Sequence, residues 1–338
     1  MTDPADAVLH LAPSPGSSMH VVCIGSAALD VLMEIDTMPP EDGRIAALDG
    51  MLAGGGPAAT AAVALARLGI SVDLISVTGD DVAGDLIVGG LAREGVGTRF
   101  VRRAPGARSA LSMGLIRPTP ANTRSLIALA AMGTAIAIDD AALEACRTAS
   151  WIHVDHAGWP LVGWLRQRGV TTPVSVDGGN PLTPTALTDA DLYVPGATEL
   201  VRSTGRPDIA SALESVATPV GPLTIVTQGA EGSTYRGVIG PTGAGADAQI
   251  RTLSRDPSRR IHAAHVNSPT VSVRSTLGAG DVYHGALLAG LLRGHSVLGA
   301  MTYASTAAAM SCRALDGRSA IPTHDEVATA MHLPHATP

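Results

Sequence analysis

The chain of 338 residues contains no lysine, so all 23 of its basic residues are arginine, and 30 acidic residues bring the net charge to −7. Without lysine no Schiff base can form, which excludes pyridoxal enzymes and lysine aldolases. The P-loop that ends in lysine, the strand lysine of protein kinases and the S-x-x-K serine enzymes are excluded as well. A phosphate group bound by this chain must therefore be met by backbone N–H groups, arginines or a metal ion.

Aromatic residues are also scarce, at 2% of the chain, and Phe100 is the single phenylalanine. Few rings are available to stack on bases and the net charge is negative, so nucleic-acid binding is not expected. Apolar residues nevertheless make up 46% of the chain, which predicts a large globular core built from aliphatic side chains. The three cysteines lie too far apart for a disulfide framework or a zinc site, and this usage fits a reducing cytoplasm.

Long apolar runs are absent too, since even residues 126–138 fall short of the roughly 20 residues that a membrane span needs. Residues 1–19 carry no basic start and contain prolines, so they predict a disordered tail and not a signal peptide. Residues 333–338 are predicted to form a second short tail. A cytoplasmic protein without membrane contact is therefore expected.

Hydrophobic periodicity indicates an α/β protein. Helical patterns such as Val82–Arg93 and Asp140–Thr148 alternate with short buried strands such as Trp151–Val154. This alternation predicts a three-layer α/β/α sandwich in which helices cover both faces of a mostly parallel central sheet. One domain is expected over residues 20–332.

Three segments interrupt this alternation. Two β-rich segments, at about 31–52 and 99–129, are predicted to form a small β-sheet lid. The segment 239–270 begins with Gly, Pro and Ala and then clusters four arginines. We predict that it is a solvated loop between strands, with an accessory nucleotide or partner contact as the alternative.

A loop of small residues, Gly278, Ala279 and Gly280, follows a strand predicted at 271–273 and opens a helix. Because the loop has no bulk, its N–H groups can approach an anion closely, and the helix N-terminus adds its dipole. Asp281 follows in the first helical turn, where N–H donors are expected to keep a carboxylate ionised. An ionised carboxylate beside an anion site can accept a proton from an attacking hydroxyl. A helix cap with a tight turn is the alternative interpretation.

A second glycine-rich loop, Gly54-Gly55-Gly56, opens the helix that begins at Pro57. Its spacing differs from the G-x-G-x-x-G of dinucleotide folds, so that function is not implied. The bare backbone of this loop can approach a polyol closely. Packing of small residues between a helix and a sheet is the alternative.

Together these segments resemble the ribokinase-like (PfkB) family of sugar and nucleoside kinases. Five segments match motifs of that family in the family's order, across about residues 20–325: 55–69, 78–84, 226–232, 276–281 and 317–322. The resemblance implies a ribokinase-like fold and a cytoplasmic kinase that uses ATP and Mg²⁺.

The resemblance also implies a role for each residue that matches a family motif. Asp281 would be the catalytic base, and the loop Gly278-Ala279-Gly280 would hold the transferring phosphoryl group. Substrate contacts would come from Asp30, Gly55, Gly56 and Thr60, and nucleotide contacts from Thr227, Gly229, Gly232 and Thr276. Phosphoryl transfer asks mainly for positioning and charge neutralisation, which this set supplies together with Mg²⁺.

Three positions depart from the family pattern. Gly196 stands where the family has the Asn of a metal-organising Asn-x-x-Glu segment, so Glu199 alone remains as a metal candidate, acting through water. Ser275 stands where an Asp usually opens the second signature, which weakens the case for a monovalent-cation site. Thr60 replaces a sugar-contacting Asn, so the chain is expected to read a different pattern of hydroxyls.

The run 54–62, His284 and the missing Asn before Glu199 are similar to the sulfofructose kinase branch, in which a lid cation meets the anionic end of the substrate. Arg44 falls at the matching place, and Arg124 is a second candidate on the same lid. Arginine suits a sulfonate, phosphate or carboxylate through its paired donors. For both arginines a solvated surface position is the alternative. The expected acceptor is a sugar or acidic sugar: a ketose, a sulfo- or phospho-sugar, or a keto-deoxy sugar acid.

Two other functions stay open at this point. A nucleoside kinase of the same family would stack its base on aromatic rings, and Trp151, Trp159 and Trp164 either serve this purpose or pack the core. A catalytically decayed sugar-binding regulator is the other alternative.

Because Val31, Met33 and Ile35 place apolar side chains on a lid edge that needs covering, a homodimer through the lid is expected.

Overall fold

Nine strands form a large sheet, and helices cover both of its faces. The computed structural model describes residues 8–10, 19–118, 123–182, 187–218, 221–238, 252–254 and 261–332. Within these ranges the strands are β1 Val8–His10, β2 His20–Ile24, β3 Ala28–Glu34, β4 Asp49–Gly55, β5 Ser71–Gly79, β6 Val101–Ala104, β7 Ala110–Arg117, β8 Thr123–Leu129, β9 Trp151–Val154, β10 Val174–Gly178, β11 Leu192–Pro195, β12 Leu223–Thr227, β13 Ser233–Val238, β14 Thr252–Ser254 and β15 Ile261–Val266. The α-helices are α1 Pro57–Arg67, α2 Val82–Arg93, α3 Asp140–Thr148, α4 Val162–Gln167, α5 Ala197–Thr204, α6 Ile209–Val216, α7 Ala279–Leu292, α8 Val297–Ser311 and α9 His324–His332.

The large sheet has the strand order β15-β13-β12-β11-β10-β9-β2-β5-β6. From β12 to β6 every neighbouring pair is parallel, and only β13 and β15 add antiparallel pairs at one edge. Strands such as β9 and β10 are buried along their whole length, because helices lie on both faces. One core joins α1, α2, α7, α8 and α9 to the sheet, and a second core joins α3 to α6 to the opposite face. The predicted α/β fold with a mostly parallel sheet is confirmed.

The second sheet is smaller and has the strand order β4-β3-β7-β8. Leu32 and Ile116 on its inner face are buried with Leu315 of the main body. On its outer face Leu52 and Ile127 are 58% and 68% exposed. The structure differs from the predicted lid segment 99–129 at its start, because β6 pairs with β5 and so extends the large sheet.

The end of β3 also differs from the prediction. Met33 is 37% exposed as expected, but Ile35 is only 2% exposed. The backbone N–H of Ile35 donates to the carbonyl of Ile116 (2.8 Å), which turns this residue inward just after the strand ends. β3 is moreover an inner strand of the small sheet, between β4 and β7, so the prediction that Val31, Met33 and Ile35 lie on an edge is wrong, and the exposed apolar surface is the outer face of the sheet.

Four of the predicted segments lie partly or wholly outside the described residues, among them the lid segment 99–129, of which residues 119–122 are not described. In the predicted tail 1–19, β1 pairs antiparallel with β14, while residues 1–7 and 11–18 lie outside the described ranges, as do 333–338. Of the predicted loop 239–270, residues 239–251 and 255–260 lie outside the described ranges, whereas β15 forms an edge strand of the large sheet. No helix in the described part of the chain has the length and apolar character that crossing a membrane requires.

Candidate active site

The site residues meet where the parallel strands end, beside the small sheet and the start of α7. Asp155 follows β9 directly, and Asp177 lies near the end of β10. Asp30 comes from β3 of the small sheet, and Asp281 from the first turn of α7. In parallel α/β sheets the carboxyl ends of the strands are the usual ligand-binding edge. The sequence therefore folds its buried carboxylates onto that edge.

The loop before α7 depends on one glycine. Gly278 caps the helix with φ 72°, a left-handed conformation that favours glycine. A Cβ at this position would lie 2.8 Å from the Cα of Gly317, so the loop packs directly on the backbone of segment 317–322. A Cβ on Gly280, in contrast, would meet no atom of the described residues within 4 Å outside its chain neighbours and the backbone of its own helix. The predicted strand at 271–273 is absent, since β15 ends at Val266 and the following residues are outside any ladder.

The start of α7 presents unpaired backbone donors. Val282 N–H donates to the carbonyl of Gly278 (2.9 Å), and Ala279 N–H is 3.4 Å from the carbonyl of Thr276. Among the described residues, the N–H groups of Gly280 and Asp281 have no backbone acceptor. Two free N–H groups at the positive end of a 14-residue helix form an arrangement suited to a phosphate oxygen.

Asp281 is half-buried and surrounded by other charges. Burial and the neighbouring Asp177 raise the pKa of Asp281 to about 8, with Asp155 adding to the effect. His284 and Arg318 act in the opposite direction. The expectation that helix N–H donors keep this carboxylate ionised is therefore wrong, since no described residue donates a hydrogen bond to it and burial decides its pKa.

Asp155 ties three elements together. Its Oδ2 accepts hydrogen bonds from the backbone N–H of Ser26 (2.8 Å), from the Ser26 hydroxyl (2.7 Å) and from the N–H of Ala58 (3.2 Å). A Cβ on Gly25 would overlap the carboxylate at 2.2 Å, so only glycine fits at the position directly after β2. The sequence analysis missed Asp155, and its place directly after a buried strand was the signal that could have identified it.

Asp30 lies on the inner side of the small sheet and is 8% exposed. The hydroxyl of Ser112, on β7, donates to Asp30 Oδ1 (2.6 Å). Burial raises the pKa of Asp30, and the contact with Ser112 and the charge of Arg318 partly offset this rise. A Cβ on Gly55 would lie 2.2 Å from Asp30 Oδ1, and Gly56 has φ 91° with its Cβ position blocked by the carbonyl of Ser26. The structure thus places Asp30 against the loop that contains Gly55 and Gly56, and their predicted role as substrate contacts stays a prediction.

Thr60 contacts a residue to which the sequence analysis gave no role. Arg318 is 6% exposed, and its Nε donates to Thr60 Oγ1 (3.1 Å) while its Nη2 donates to the carbonyl of Gly55 (2.8 Å). Within the described residues, Arg318 forms no ion pair with a carboxylate, and burial lowers its pKa to about 10. A Cβ on Gly54 would overlap its Nη1 at 2.0 Å. Arg318 therefore holds the glycine loop in place through hydrogen bonds and lies beside it as a buried positive charge.

The two arginines predicted as anion ligands differ in their surroundings. Arg44 is exposed in the connection between β3 and β4, and within the described residues it makes no hydrogen bond or ion pair. Arg124, on β8, donates from Nη1 to the hydroxyl of Thr276, so it reaches from the small sheet to the loop before α7. Arg274 makes a parallel connection, since its Nη2 lies 2.6 Å from both Glu34 and Asp49 of the small sheet.

Three of the four residues predicted to lie beside a nucleotide, Thr227, Gly229 and Gly232, lie at the end of β12, and the fourth, Thr276, lies in the loop before α7. Thr227 ends that strand and forms an isolated parallel bridge with Gly196. Gly229 and Gly232 flank a short 3-10 turn with φ 61° and 99°. A Cβ on Gly232 would lie 2.0 Å from the carbonyl of Val266, so β15 packs against this turn.

Glu199 does not fit the predicted metal role as a free carboxylate. Both of its oxygens accept from Arg202 one turn later in α5, at 2.6 and 2.7 Å. In the described ranges there is also no group of three or more His, Cys, Asp or Glu side chains arranged to hold a metal ion. A resident side-chain metal site is therefore not formed by these residues.

The tryptophans are packed and offer no platform for a base. Trp151 and Trp159 are 1% and 2% exposed and belong to the cores on the two faces of the large sheet. Trp164 is covered by the guanidinium of Arg168, 3.6 Å from its ring centroid. The interpretation of these residues as packing residues is confirmed.

A buried ion pair lies under the start of α7. His284 Nε2 is 3.1 Å from Asp177 Oδ1, and both side chains are at most 5% exposed. The ring of His153, on β9, has its centroid 5.2 Å from that of His284. The sequence analysis had noted His284 only for its resemblance to one branch of the family.

Comparison with known proteins gives a consistent result. A family model described as pfkB family carbohydrate kinase matches residues 18–324. The ribokinase of Arabidopsis thaliana is 24% identical over 329 residues, which cover 93% of this chain and 80% of that protein. The deoxyribokinase of Salmonella typhi is 23% identical, with 91% of this chain and 97% of that protein covered.

Solved structures show the same fold. The Arabidopsis thaliana ribokinase complexed with ribose and ATP superposes with a TM-score of 0.75 at 22% identity, over 94% of this chain and all of that one. The large sheet with a smaller sheet beside it is therefore a ribokinase-like fold. These likenesses do not single out the sulfofructose kinase branch, and that narrower resemblance stays a prediction.

Proposed function

Because the chain belongs to the pfkB family of carbohydrate kinases, we propose that it transfers the γ-phosphoryl group of ATP to a hydroxyl of a sugar or acidic sugar. One observation carries this proposal: Asp281 lies in the first turn of α7, where the N–H groups of Gly280 and Asp281 have no backbone acceptor among the described residues. A proton acceptor and an anion site within one helical turn are what an in-line transfer to a hydroxyl requires.

On the acceptor side, Asp30 is the proposed contact for the sugar. Ser112 occupies Oδ1 of this carboxylate, which leaves Oδ2 to accept from substrate hydroxyls. Gly55 lets the Asp30 carboxylate lie against the loop backbone, since a Cβ there would meet Asp30 Oδ1 at 2.2 Å, and Arg318, which donates to Thr60 and to the carbonyl of Gly55, holds that backbone. The small sheet that carries Asp30 would then act as a lid over the acceptor.

On the phosphoryl side, the loop Gly278-Ala279-Gly280 would stabilise the charge of the group in transfer through its N–H groups and the helix dipole. The acceptor oxygen forms a bond to the γ-phosphorus, the bond from that phosphorus to the bridging oxygen breaks, and ADP leaves with the electron pair. The hydroxyl proton passes to a carboxylate oxygen of Asp281. This assigns Asp281 as the general base.

ATP would lie along Thr227, Gly229, Gly232 and Thr276. Arg124 would hold Thr276 in place and fix the lid against the nucleotide side, since it donates to that hydroxyl. Because Glu199 is engaged by Arg202, we propose that Mg²⁺ arrives bound to ATP as part of the substrate. Glu199 would contact the ion through water at most.

The exposed Arg44 is the proposed ligand for an anionic end of the acceptor, since it lies on the lid and no residue in the described ranges pairs with it. The exposed outer face of the small sheet, with Leu52, Met113 and Ile127, supports the proposal of a homodimer that buries this face.

The test is ATP turnover across a panel of neutral sugars and sugar acids, with wild type beside Asp281→Asn. We expect the variant to lose about 10²–10⁴-fold in kcat, because the attacking hydroxyl keeps its proton. Asp140→Asn is the matched control, since Asp140 is also an aspartate in the first turn of a helix but is exposed on α3. Wild-type turnover in Asp281→Asn would remove the proposed mechanism, and binding without turnover on every acceptor would favour a sugar-binding regulator.

A further inference from the structure

The helix that carries Asp281 carries a second ionisable side chain on the same face. His284 follows Asp281 by three residues, so the two side chains point to the same side of α7. His284 is 4% exposed and Asp281 is half-buried above it. The contacts of His284 therefore affect the electrostatic environment of Asp281.

The partner of His284 is Asp177 on β10. Its Oδ1 lies 3.1 Å from His284 Nε2 and accepts the backbone N–H of Gly179 at 2.6 Å. Asp177 is 3% exposed. Buried charges are stable only when they are paired, and within the described residues His284 is the side chain that pairs with this carboxylate.

A second imidazole completes the cluster. His153, on β9, is fully buried, and its Nδ1 lies 3.4 Å from the hydroxyl of Ser175. Neither His153 Nε2 nor His284 Nδ1 has a hydrogen-bond partner among the described residues. Burial and the charge of His284 lower the pKa of His153 to about 3, so His153 is neutral and His284 is the charged ring of the two.

Five charged groups face the start of α7 from four elements. They are Asp281 and His284 on α7, Asp177 on β10, Asp155 after β9, and Arg318 in the segment before α9. Burial opposes the charge on both members of the pair, but His284 lowers the pKa of Asp177 to about 2, and Asp177 raises the pKa of His284. The ionised pair carries no net charge, and His284 offsets part of the effect of the Asp177 carboxylate on Asp281.

We propose that His284, held by Asp177, is a positioning residue that shields Asp281 from the Asp177 carboxylate and thereby sets the protonation state of that base. The inference rests on the proposed function of Asp281. If the shield is removed and Asp177 stays, an unpaired buried carboxylate faces Asp281 and favours its protonated form. If both members of the pair are removed, that repulsion disappears.

The variants follow from this charge balance. In His284→Gln we expect the acid limb of the pH profile of kcat/KM to move up by about one pH unit, because Asp281 holds its proton more tightly. In Asp177→Asn/His284→Gln we expect the limb to return close to its wild-type position. His153→Gln is the matched control, since it replaces an equally buried but neutral imidazole and should leave the limb in place. A purely structural role would lower the rate at every pH without moving the limb.

A second readout does not depend on turnover. The titration of Asp281 is followed by NMR of protein labelled at the aspartate carboxyl carbons, with its resonance identified by its loss in Asp281→Asn. The proposal predicts a higher midpoint in His284→Gln and restoration in the double variant. An unchanged midpoint in His284→Gln overturns the proposal even where Asp281→Asn confirms the base. A raised midpoint in an enzyme that phosphorylates no acceptor supports the charge coupling and removes the proposed function.

A third measurement uses the wild-type protein, so a folding defect in a variant cannot affect its result. Imidazole nitrogen resonances should show His284 with both nitrogens protonated at pH 7 and His153 with one. A singly protonated His284 at that pH would overturn the proposal, because a neutral ring cannot shield Asp281 from Asp177.

Discussion

The two sides of the cleft are built in different ways. On the side of the large sheet, Asp155 and Asp177 extend from the ends of buried strands. Asp155 is fixed by three short hydrogen bonds to its Oδ2, and Asp177 by a buried ion pair with His284. On the side of the small sheet, exposed arginines hold or reach the neighbouring loop, and Arg44 makes no protein contact in the described ranges. Contacts at the strand ends therefore fix the chemical side, whereas the acceptor side combines the buried Asp30 with long, exposed arginine side chains.

This contrast suggests a division of labour. A reacting group must be held within a fraction of an ångström, and strand ends and helix starts provide that precision. A lid that opens for substrate needs contacts that break easily, and exposed ion pairs, worth about 0–1 kcal/mol each, suit this purpose. Substitutions on the large-sheet side should therefore change kcat and folding together, while those on the lid should change mainly KM.

Apart from the base Asp281 itself, the largest effect is expected at Gly278. Gly278→Ala forces a side chain into a left-handed backbone position and within 2.8 Å of the Cα of Gly317. We expect a loss of about 1–3 kcal/mol in the free energy of unfolding and about 100-fold in kcat. Thermal unfolding and turnover of the same preparation measure both.

Gly280→Ala tests whether the loop needs glycine at position 278 specifically or merely tolerates no added side chain. A Cβ at this position meets none of the described residues within 4 Å beyond the adjoining helix backbone, and alanine favours the helix, so the unfolding temperature should stay the same or rise. Equal destabilisation by the two substitutions would contradict the account of the loop given above.

An intermediate effect is expected at Arg318, which joins the two sides. Arg318→Met removes the hydrogen bonds to Thr60 and to the carbonyl of Gly55 while keeping most of the buried volume. Hydrogen bonds of a charged group contribute about 1.5–3 kcal/mol, so kcat/KM for the acceptor should fall about 10–100-fold, mainly through KM. Arg93→Met, an exposed arginine on α2, is the control. Equal kinetics for the two variants would show that Arg318 does not support the acceptor loop.

The smallest effect is expected at Arg44, and it should depend on the acceptor. Arg44→Ala should raise KM about 10-fold for an anionic sugar and change it less than twofold for a neutral one, because only an anion pairs with the guanidinium. Arg124→Ala, which breaks the contact with Thr276, should affect both acceptors alike. An equal effect of Arg44→Ala on both acceptors would remove Arg44 as an anion ligand.

Local patterns predicted the elements well. The helices Val82–Arg93 and Asp140–Thr148 have the predicted bounds, since each begins after an aspartate whose carboxylate caps the helix, Asp81 and Asp139. The loop at Gly278 was likewise visible, because small residues before a helix have few other purposes. These features depend on neighbours within a few positions of the chain.

Contacts between distant residues could not be predicted in the same way. Arg318 and Thr60 are 258 positions apart, and Ser112 and Asp30 are 82 apart. The strand β6 was expected as a strand, but its partner β5 could be known only from the folded sheet. For the same reason the protonation of Asp281 was misjudged, since its pKa depends on Asp177, 104 positions earlier.

The pH dependence of kcat/KM for the acceptor tests the central claim most directly. A base whose pKa is raised to about 8 must lose its proton before it can act, so kcat/KM of the wild-type enzyme should rise with pH and level off only above about 8. Asp281→Asn should be slower and show no such limb. A wild-type profile that is flat from pH 6 to pH 9, measured with an acceptor that does not titrate in that range, would contradict the assignment of Asp281 as the buried base.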